Sequence, residues 1–193
     1  DAVIALAIDE GRKHRPAATA MQAQRAGNGF KLDGAKTFVL NGHVADMVLV
    51  AARTGGSAGE EAGLTLFAVP RNAVGLSVST DRMVDSSLSS RLTFEGVQVD
   101  ADAVVGEVDA GWAVLSRLLN AGRIGSAAET LGVGMGAMDM TFDYLKQRKQ
   151  FGKVIGEFQA LQHRAAHLYS EMECARSAVL KAQQLLDAGA DNA

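Results

Sequence analysis

From Ala110 to Lys149 the chain contains no proline and few β-branched residues, a composition whose economical solution is one very long helix. Asp109 stands just ahead of it with a side chain suited to an N-cap. A second helix is predicted from about Glu157 to Asp187. It carries Phe158, Leu161, Ala165, Leu168, Met172, Ala175 and Val179 at three- and four-residue steps, one continuous apolar face that needs partners. The two helices, antiparallel and joined by Phe151-Gly152-Lys153-Val154-Ile155-Gly156, make half of a four-helix bundle. The chain then ends in the loop composition Asp187-Ala188-Gly189-Ala190-Asp191-Asn192-Ala193, so the other half of the bundle is expected from elsewhere.

Ahead of Gly106 the pattern is different: short apolar runs broken by Gly, Asn, Asp and Pro, the punctuation of antiparallel β structure. Strands are predicted over Gly29 to Leu32, Ala35 to Leu40, Met47 to Arg53, Leu64 to Val69, Val74 to Ser79 and Arg91 to Val99, with tight turns at Asp33-Gly34 and Asn41-Gly42. The apolar opening Asp1 to Ile8 is too short to span a membrane, lacks the basic leader of a signal peptide and is read as a buried strand. Arg53 to Gly63 is rich in small and charged residues and is expected to be an exposed, mobile loop. The expected class is therefore α+β: an antiparallel β-barrel or sandwich over residues 1–107, followed over 108–193 by the two long helices.

Nineteen basic and 22 acidic residues give a net charge of −3, and no basic run is interleaved with aromatics, which argues against a nucleic-acid partner. Cys174 is the only cysteine, so no intrachain disulfide can form and a reducing, cytoplasmic setting is expected. Three patterns invite chemistry and fail on context. Gly132-Val133-Gly134-Met135-Gly136 follows no strand and lacks the spacing of a pyrophosphate-binding turn, so its small residues are read as allowing close helix packing. His163, His167 and Glu171 share a helical face without further ligands, and no metal site is expected. Cys174 lies beside Glu173 in mid-helix and no nucleophile elbow exists, so nucleophilic catalysis is not expected.

The most informative stretch is Gln147-Arg148-Lys149-Gln150-Phe151-Gly152-Lys153-Val154-Ile155-Gly156-Glu157-Phe158-Gln159-Ala160-Leu161-Gln162-His163. It resembles the R-x-Q-F-G-x-x-I-x-x-F-Q-x-L-Q segment of acyl-CoA dehydrogenases. The resemblance runs on through Asp33 to Gly42, with Ala45-Asp46 and Ala52-Arg53-Thr54 after it, and through Leu92 to Val99 with Gly106-Glu107 and Gly111-Trp112. It implies an FAD enzyme oxidising an acyl-CoA thioester to the enoyl-CoA in β-oxidation, with electron-transfer flavoprotein as acceptor and a homodimer or dimer of dimers as the assembly.

By the same resemblance, Arg148 and Phe151, with Gln159 nearby, reach the FAD diphosphate and adenine of a neighbouring subunit. Phe38 replaces a tryptophan packed on the flavin, and Leu40 replaces a hydroxyl residue that donates to the flavin ring. Ile8, Asp9 and Glu10 stand in place of a T-E-P motif, and Gly11-Arg12-Lys13-His14 replaces the glycine and serine segment after it. Arg123 and Asn120 correspond to residues near the acyl-CoA. The position before Arg123, which holds the catalytic carboxylate in a minority of members, is Gly122, and Glu129, six residues beyond Arg123, projects from a face roughly 120° away from that of Arg123. No catalytic base is therefore expected within this chain. With the family's N-terminal helices and half of its bundle absent, the chain is read as a truncated piece of a longer enzyme. The alternatives are a non-catalytic partner subunit of a heteromer, or an acyl-CoA oxidase or flavin monooxygenase of the same fold.

Overall fold

The computed structural model describes residues 2–189, so the last four residues of the expected loop tail, 190–193, lie outside it. The class is α+β as expected, in two compact units, Asp1–Leu115 and Ser116–Ala193.

The first unit is built on strands β1 (Ile4–Ala7), β2 (Gln22–Ala26), β3 (Gly29–Leu40), β4 (Met47–Arg53), β5 (Leu64–Pro70), β6 (Leu76–Arg82), β7 (Leu88–Asp100) and β8 (Val104–Val105). They form one eight-stranded sheet in the order β6-β7-β3-β2-β4-β5-β8, with β1 beside β4. Two expectations need correction. The sheet does not close into a barrel, because β6 and β8 end the hydrogen-bonded path without pairing. Nor is it wholly antiparallel, since β1 and β2 each run parallel to β4. Parallel neighbours require long connections rather than tight turns, so nothing in the local turn chemistry announces them.

A third correction concerns Asp33-Gly34, which is no hairpin. The chain reverses instead at Gly27-Asn28, where Ala26 pairs with Gly29, and β3 runs on through Asp33 against both β2 and β7. The would-be turn residues become an irregularity in the β3–β7 ladder between Leu32 and Gly34. The Asp33 carboxylate accepts the Gly96 amide at 2.7 Å, tying the distortion to β7. Gly34 has φ 148°, and a Cβ there would lie 2.7 Å from Met21 Cγ, so only glycine fits.

Alternation along the strands packs Phe30, Leu32, Val48, Val50, Phe67, Val69, Leu92 and Phe94 into a single core. Phe30 and Phe67 meet edge to face at 5.1 Å. The opening strand is buried on one face only: Ala5 and Ala7 point inward, while Ile4 and Leu6 are exposed. The loop after β4 is also more organised than its composition suggests. Buried Arg53 donates from Nε to the Thr19 carbonyl, from Nη1 to those of Gly55 and Ala62, and from Nη2 to those of Ala17 and Glu60.

Helix α1 (Gly111–Gln147) begins in the first unit, where Asp109 precedes it at φ 65° and offers its carboxylate to the Thr54 hydroxyl at 2.6 Å. A short hairpin, β9 (Lys149–Gln150) with β10 (Lys153–Val154), leads to α2 (Gln159–Asp187). Gly134 of α1 faces Met172 of α2, and Leu145 faces Gly156, an antiparallel arrangement. Of the three clustered glycines only Gly134 makes this close approach; nothing lies within 4 Å of a Cβ at Gly132 or Gly136. Helix α2 has no fully buried residue, so its apolar stripe, including Leu168, stays partly open, as half a bundle requires.

At Gly134 an alanine Cβ would lie 2.8 Å from Met172 Cε, the free end of a flexible side chain. Gly134→Ala is expected to leave thermal stability unchanged or raise it, helix propensity offering up to about 1 kcal/mol. Gly134→Leu should lower it by separating the helices. Melting curves of the two variants check this, and equal losses would show that the glycine serves something other than close approach.

Candidate functional site

In the first unit the segment after β1 is clamped onto β3 by a buried ion pair. Fully buried Lys36 donates from Nζ to Glu10 Oε1 at 2.7 Å and to the Ile8 carbonyl at 2.9 Å. The Glu10 carboxylate also accepts the amides of Ala20 at 2.8 Å and Met21 at 3.0 Å. Burial pushes the Lys36 ammonium below its ordinary value, a shift opposed by the charge and hydrogen bond of Glu10 and by the charge of Asp9. The Asp9 backbone carbonyl accepts the Thr37 amide at 2.7 Å, and its carboxylate pairs with His14 Nδ1 at 2.9 Å. Gly11 and Arg12 are thereby held against the end of β3.

Beside this clamp opens a cavity of about 430 Å³, lined by Glu10, Gly11, Arg12, Thr37, Phe38, Asp81, Met83, Ser89, Ser90 and Arg91. Phe38 adopts φ 55° at an irregularity of the β3–β7 ladder and is 55% exposed, so an aromatic side chain stands out from the sheet where strand residues of this size normally pack down. Leu40 is 59% exposed and brings no hydrogen-bonding group. The Ser89 and Ser90 hydroxyls are buried and have no partner among the described residues, a condition native interiors rarely tolerate without reason. Aromatic surface and unspent hydroxyls suit a flat ligand with polar edges, while the two arginines of the lining are matched in number by Glu10 and Asp81.

The remaining candidates lie in the second unit. Arg148 is exposed at the end of α1, its carbonyl accepting the Ile155 amide at 2.8 Å, and its guanidinium has no ion-pair partner among the described residues. Phe151 sits at the tip of the β9–β10 hairpin with φ 55° and 90% exposure, touching Phe158 edge to face at 6.2 Å. Gln159 is exposed at the first turn of α2. Arg148, Phe151 and Gln159 thus share one end of the helix pair. Arg123 and Asn120, on α1, are joined to one another by a 3.2 Å hydrogen bond. His167 and Glu171 form an exposed pair at 3.6 Å, and the described residues contain no group of three or more potential metal ligands.

The sequence reading missed Lys36, Arg91, Ser89 and Ser90. Lys36 sits in a motif where nothing signals its burial. Ser90 does carry a signal: it occupies the inward register of β7 with Leu92 and Phe94, where an apolar residue is the norm.

A family model described as acyl-CoA dehydrogenase, middle domain, matches residues 8–97, and one described as acyl-CoA dehydrogenase, C-terminal domain, matches residues 109–193. Short/branched chain specific acyl-CoA dehydrogenase of Rattus norvegicus is 37% identical over 171 residues, 87% of this chain and 39% of the relative. A caffeyl-CoA reductase–Etf complex subunit of Acetobacterium woodii is 32% identical over 164 residues, 83% of this chain and 43% of the relative. Butyryl-CoA dehydrogenase of Megasphaera elsdenii superposes with a TM-score of 0.85 at 29% identity, covering 98% of this chain and 50% of that one. The chain spans half or less of the length of each of these relatives.

Proposed function

The chain belongs to the acyl-CoA dehydrogenase family, and from that premise we propose that the full-length protein binds FAD and removes hydrogen across the α,β bond of an acyl-CoA thioester. The cavity beside Phe38 carries this reading, because its exposed aromatic wall and a buried, unpartnered hydroxyl fit the face and the polar edge of a flavin ring. FAD, when bound, supplies the hydride acceptor for the acyl β-carbon.

The chain's own residues bind and orient. Phe38 offers aromatic surface to the ring. Arg148, with a planar fork suited to paired phosphate oxygens, and the protruding Phe151 serve the diphosphate and adenine of a neighbouring subunit, with Gln159 beside them. Asn120 and Arg123 lie toward the acyl-CoA. The group that takes the α-proton is assigned to the part of the protein beyond this chain, since Gly122 has no side chain and Glu129 lies two turns, about 10 Å, further along α1.

The same proposal includes the division at residues 107 and 108 into middle β-domain and partial helical bundle, and an assembly of two or four copies to cover the open stripe of α2. It also includes electron-transfer flavoprotein as acceptor, supported by the relative from an Etf complex. A cytoplasmic role in β-oxidation completes it. No helix of the described residues is long and apolar enough to cross a membrane.

A second reading, a non-catalytic partner subunit, draws on exposed Leu40, which cannot donate to a flavin. The test is to purify the full-length protein and follow its visible spectrum during anaerobic addition of acyl-CoAs. Flavin bands that bleach with substrate support the dehydrogenase. A protein without flavin that takes up none from added FAD defeats it and leaves the partner subunit.

A further inference from the structure

Resting on the flavin reading above, we propose that Ser89 is a cofactor-binding residue of this chain, its hydroxyl donating to an acceptor on the edge of the flavin ring. Ser89 and Ser90 are 5% and 2% exposed, and neither hydroxyl has a hydrogen-bond partner among the described residues. Folding has removed both from water without replacing what water gave them, a standing cost to the unliganded protein.

The sheet register separates the two. On β7, Ser90 pairs with Val39 of β3, and Ser89 pairs with Leu40. Successive strand residues point to opposite faces, whereas directly opposed residues on neighbouring strands point to the same one. Ser90 follows core residues Leu92 and Phe94 inward, and its hydroxyl lies only 3.1 Å from where a Cβ on Gly42 would be, under the Asn41-Gly42 turn. Ser89 shares the outward face of Leu40.

Leu40 projects into solvent from that face and brings no donor, while Ser89, directly across the ladder, has a donor with nothing to receive it. The same cavity is lined by Phe38, Thr37, Arg12 and Arg91, with Glu10 held by Lys36 and Asp81 as the other carboxylate. A flat ring resting on Phe38 lies on the face of the sheet that carries Ser89, a lining residue of the cavity whose hydroxyl is closed off from solvent. The position opposite Leu40 thus supplies the hydrogen bond that Leu40 cannot.

The test uses the full-length protein, stripped of flavin and titrated with FAD, in four forms: wild type, Ser89→Ala, Ser90→Ala, and Ser89→Ala combined with Leu40→Thr. Loss of one hydrogen bond predicts about a tenfold weaker FAD dissociation constant for Ser89→Ala. The flavin absorption band should shift in the same variant. The melting temperature of the flavin-free form should stay level or rise, because an unpartnered buried hydroxyl has gone. Leu40→Thr should restore most of the lost affinity from across the ladder, and Ser90→Ala should change neither affinity nor spectrum.

A wild type that binds FAD alongside an unchanged Ser89→Ala overturns this assignment and leaves the flavin reading intact. So does a lower melting temperature of flavin-free Ser89→Ala, which would show that the hydroxyl bonds another segment of the full-length protein. A wild type that takes up no FAD overturns both.

Discussion

Arg53→Met is expected to destabilise the sheet unit by about 4 kcal/mol, because one buried guanidinium is the hub for two separate loops. Arg53 is 2% exposed and pairs with no carboxylate among the described residues; its charge is spread over five carbonyls, those of Thr19 at 2.9 Å, Ala62 and Glu60 at 3.0 Å, Ala17 at 3.1 Å and Gly55 at 3.3 Å. Methionine keeps most of the volume and none of the donors. Some orphaned carbonyls can turn to water because the loop from Gly55 to Ala62 is at the surface, so the loss is less than the sum of five charge-assisted bonds. At about 2–4 °C per kcal/mol for a chain of this size, the melting temperature should fall by roughly 10 °C. Faster proteolysis in the loop should accompany it. A drop below about 1 kcal/mol in urea denaturation would mean that the loop is held by the Thr54, Thr65 and Asp109 hydrogen bonds instead.

Glu10→Ala should cost about 3–5 kcal/mol, because removing one partner of a buried pair leaves the other as an uncompensated charge. It also strips the Ala20 and Met21 amides of their acceptor and frees the segment that forms one wall of the Phe38 cavity. Lys36→Met should be milder, and the double replacement should recover part of the Glu10→Ala loss, giving a coupling energy from the cycle.

The pH dependence identifies the charge responsible. The Lys36 ammonium is held below 10.5 by burial, so between its folded value and 10.5 the folded protein binds fewer protons than the unfolded one. Stability relative to Lys36→Met must therefore rise with pH through that window, the full penalty applying below it. In Glu10→Ala the opposing attraction is gone and the rise should begin at lower pH. Melting temperatures from neutral pH to about 10.5 read both effects, and parallel profiles for wild type and Lys36→Met would show that Lys36 is not the titrating group.

Helices and sharply bounded strands were readable because their signals are local. The proline-free run ahead of Lys149 and the stepped apolar residues of α2 define their helices within a few residues, and the Met47–Arg53 strand has the predicted ends. Each depends on periodicity and breakers inside one segment. The long match ending at His163 likewise pointed to the family without any contact being known. Asp33-Gly34 failed for the complementary reason. Its two residues suit a hairpin, but β2 and β7 hold hydrogen bonds on both sides of β3, and those outweigh a dipeptide's turn preference.

The cavity shows the same division more sharply. Phe38 and Leu40 could be picked out in the chain because they sit in a recognisable motif, and their side-chain chemistry follows from residue type alone. Nothing local distinguishes Ser89 from the neighbouring serines, or marks Lys36 and Arg53 as buried. Those properties arise when segments far apart in sequence meet: Lys36 on Glu10, Arg53 on Thr19 and Glu60, Ser89 opposite Leu40. Burial and hydrogen-bond satisfaction are relations between segments, so amino-acid order specifies the elements and the family, and packing alone decides which polar groups are spent on the fold and which are left for a ligand.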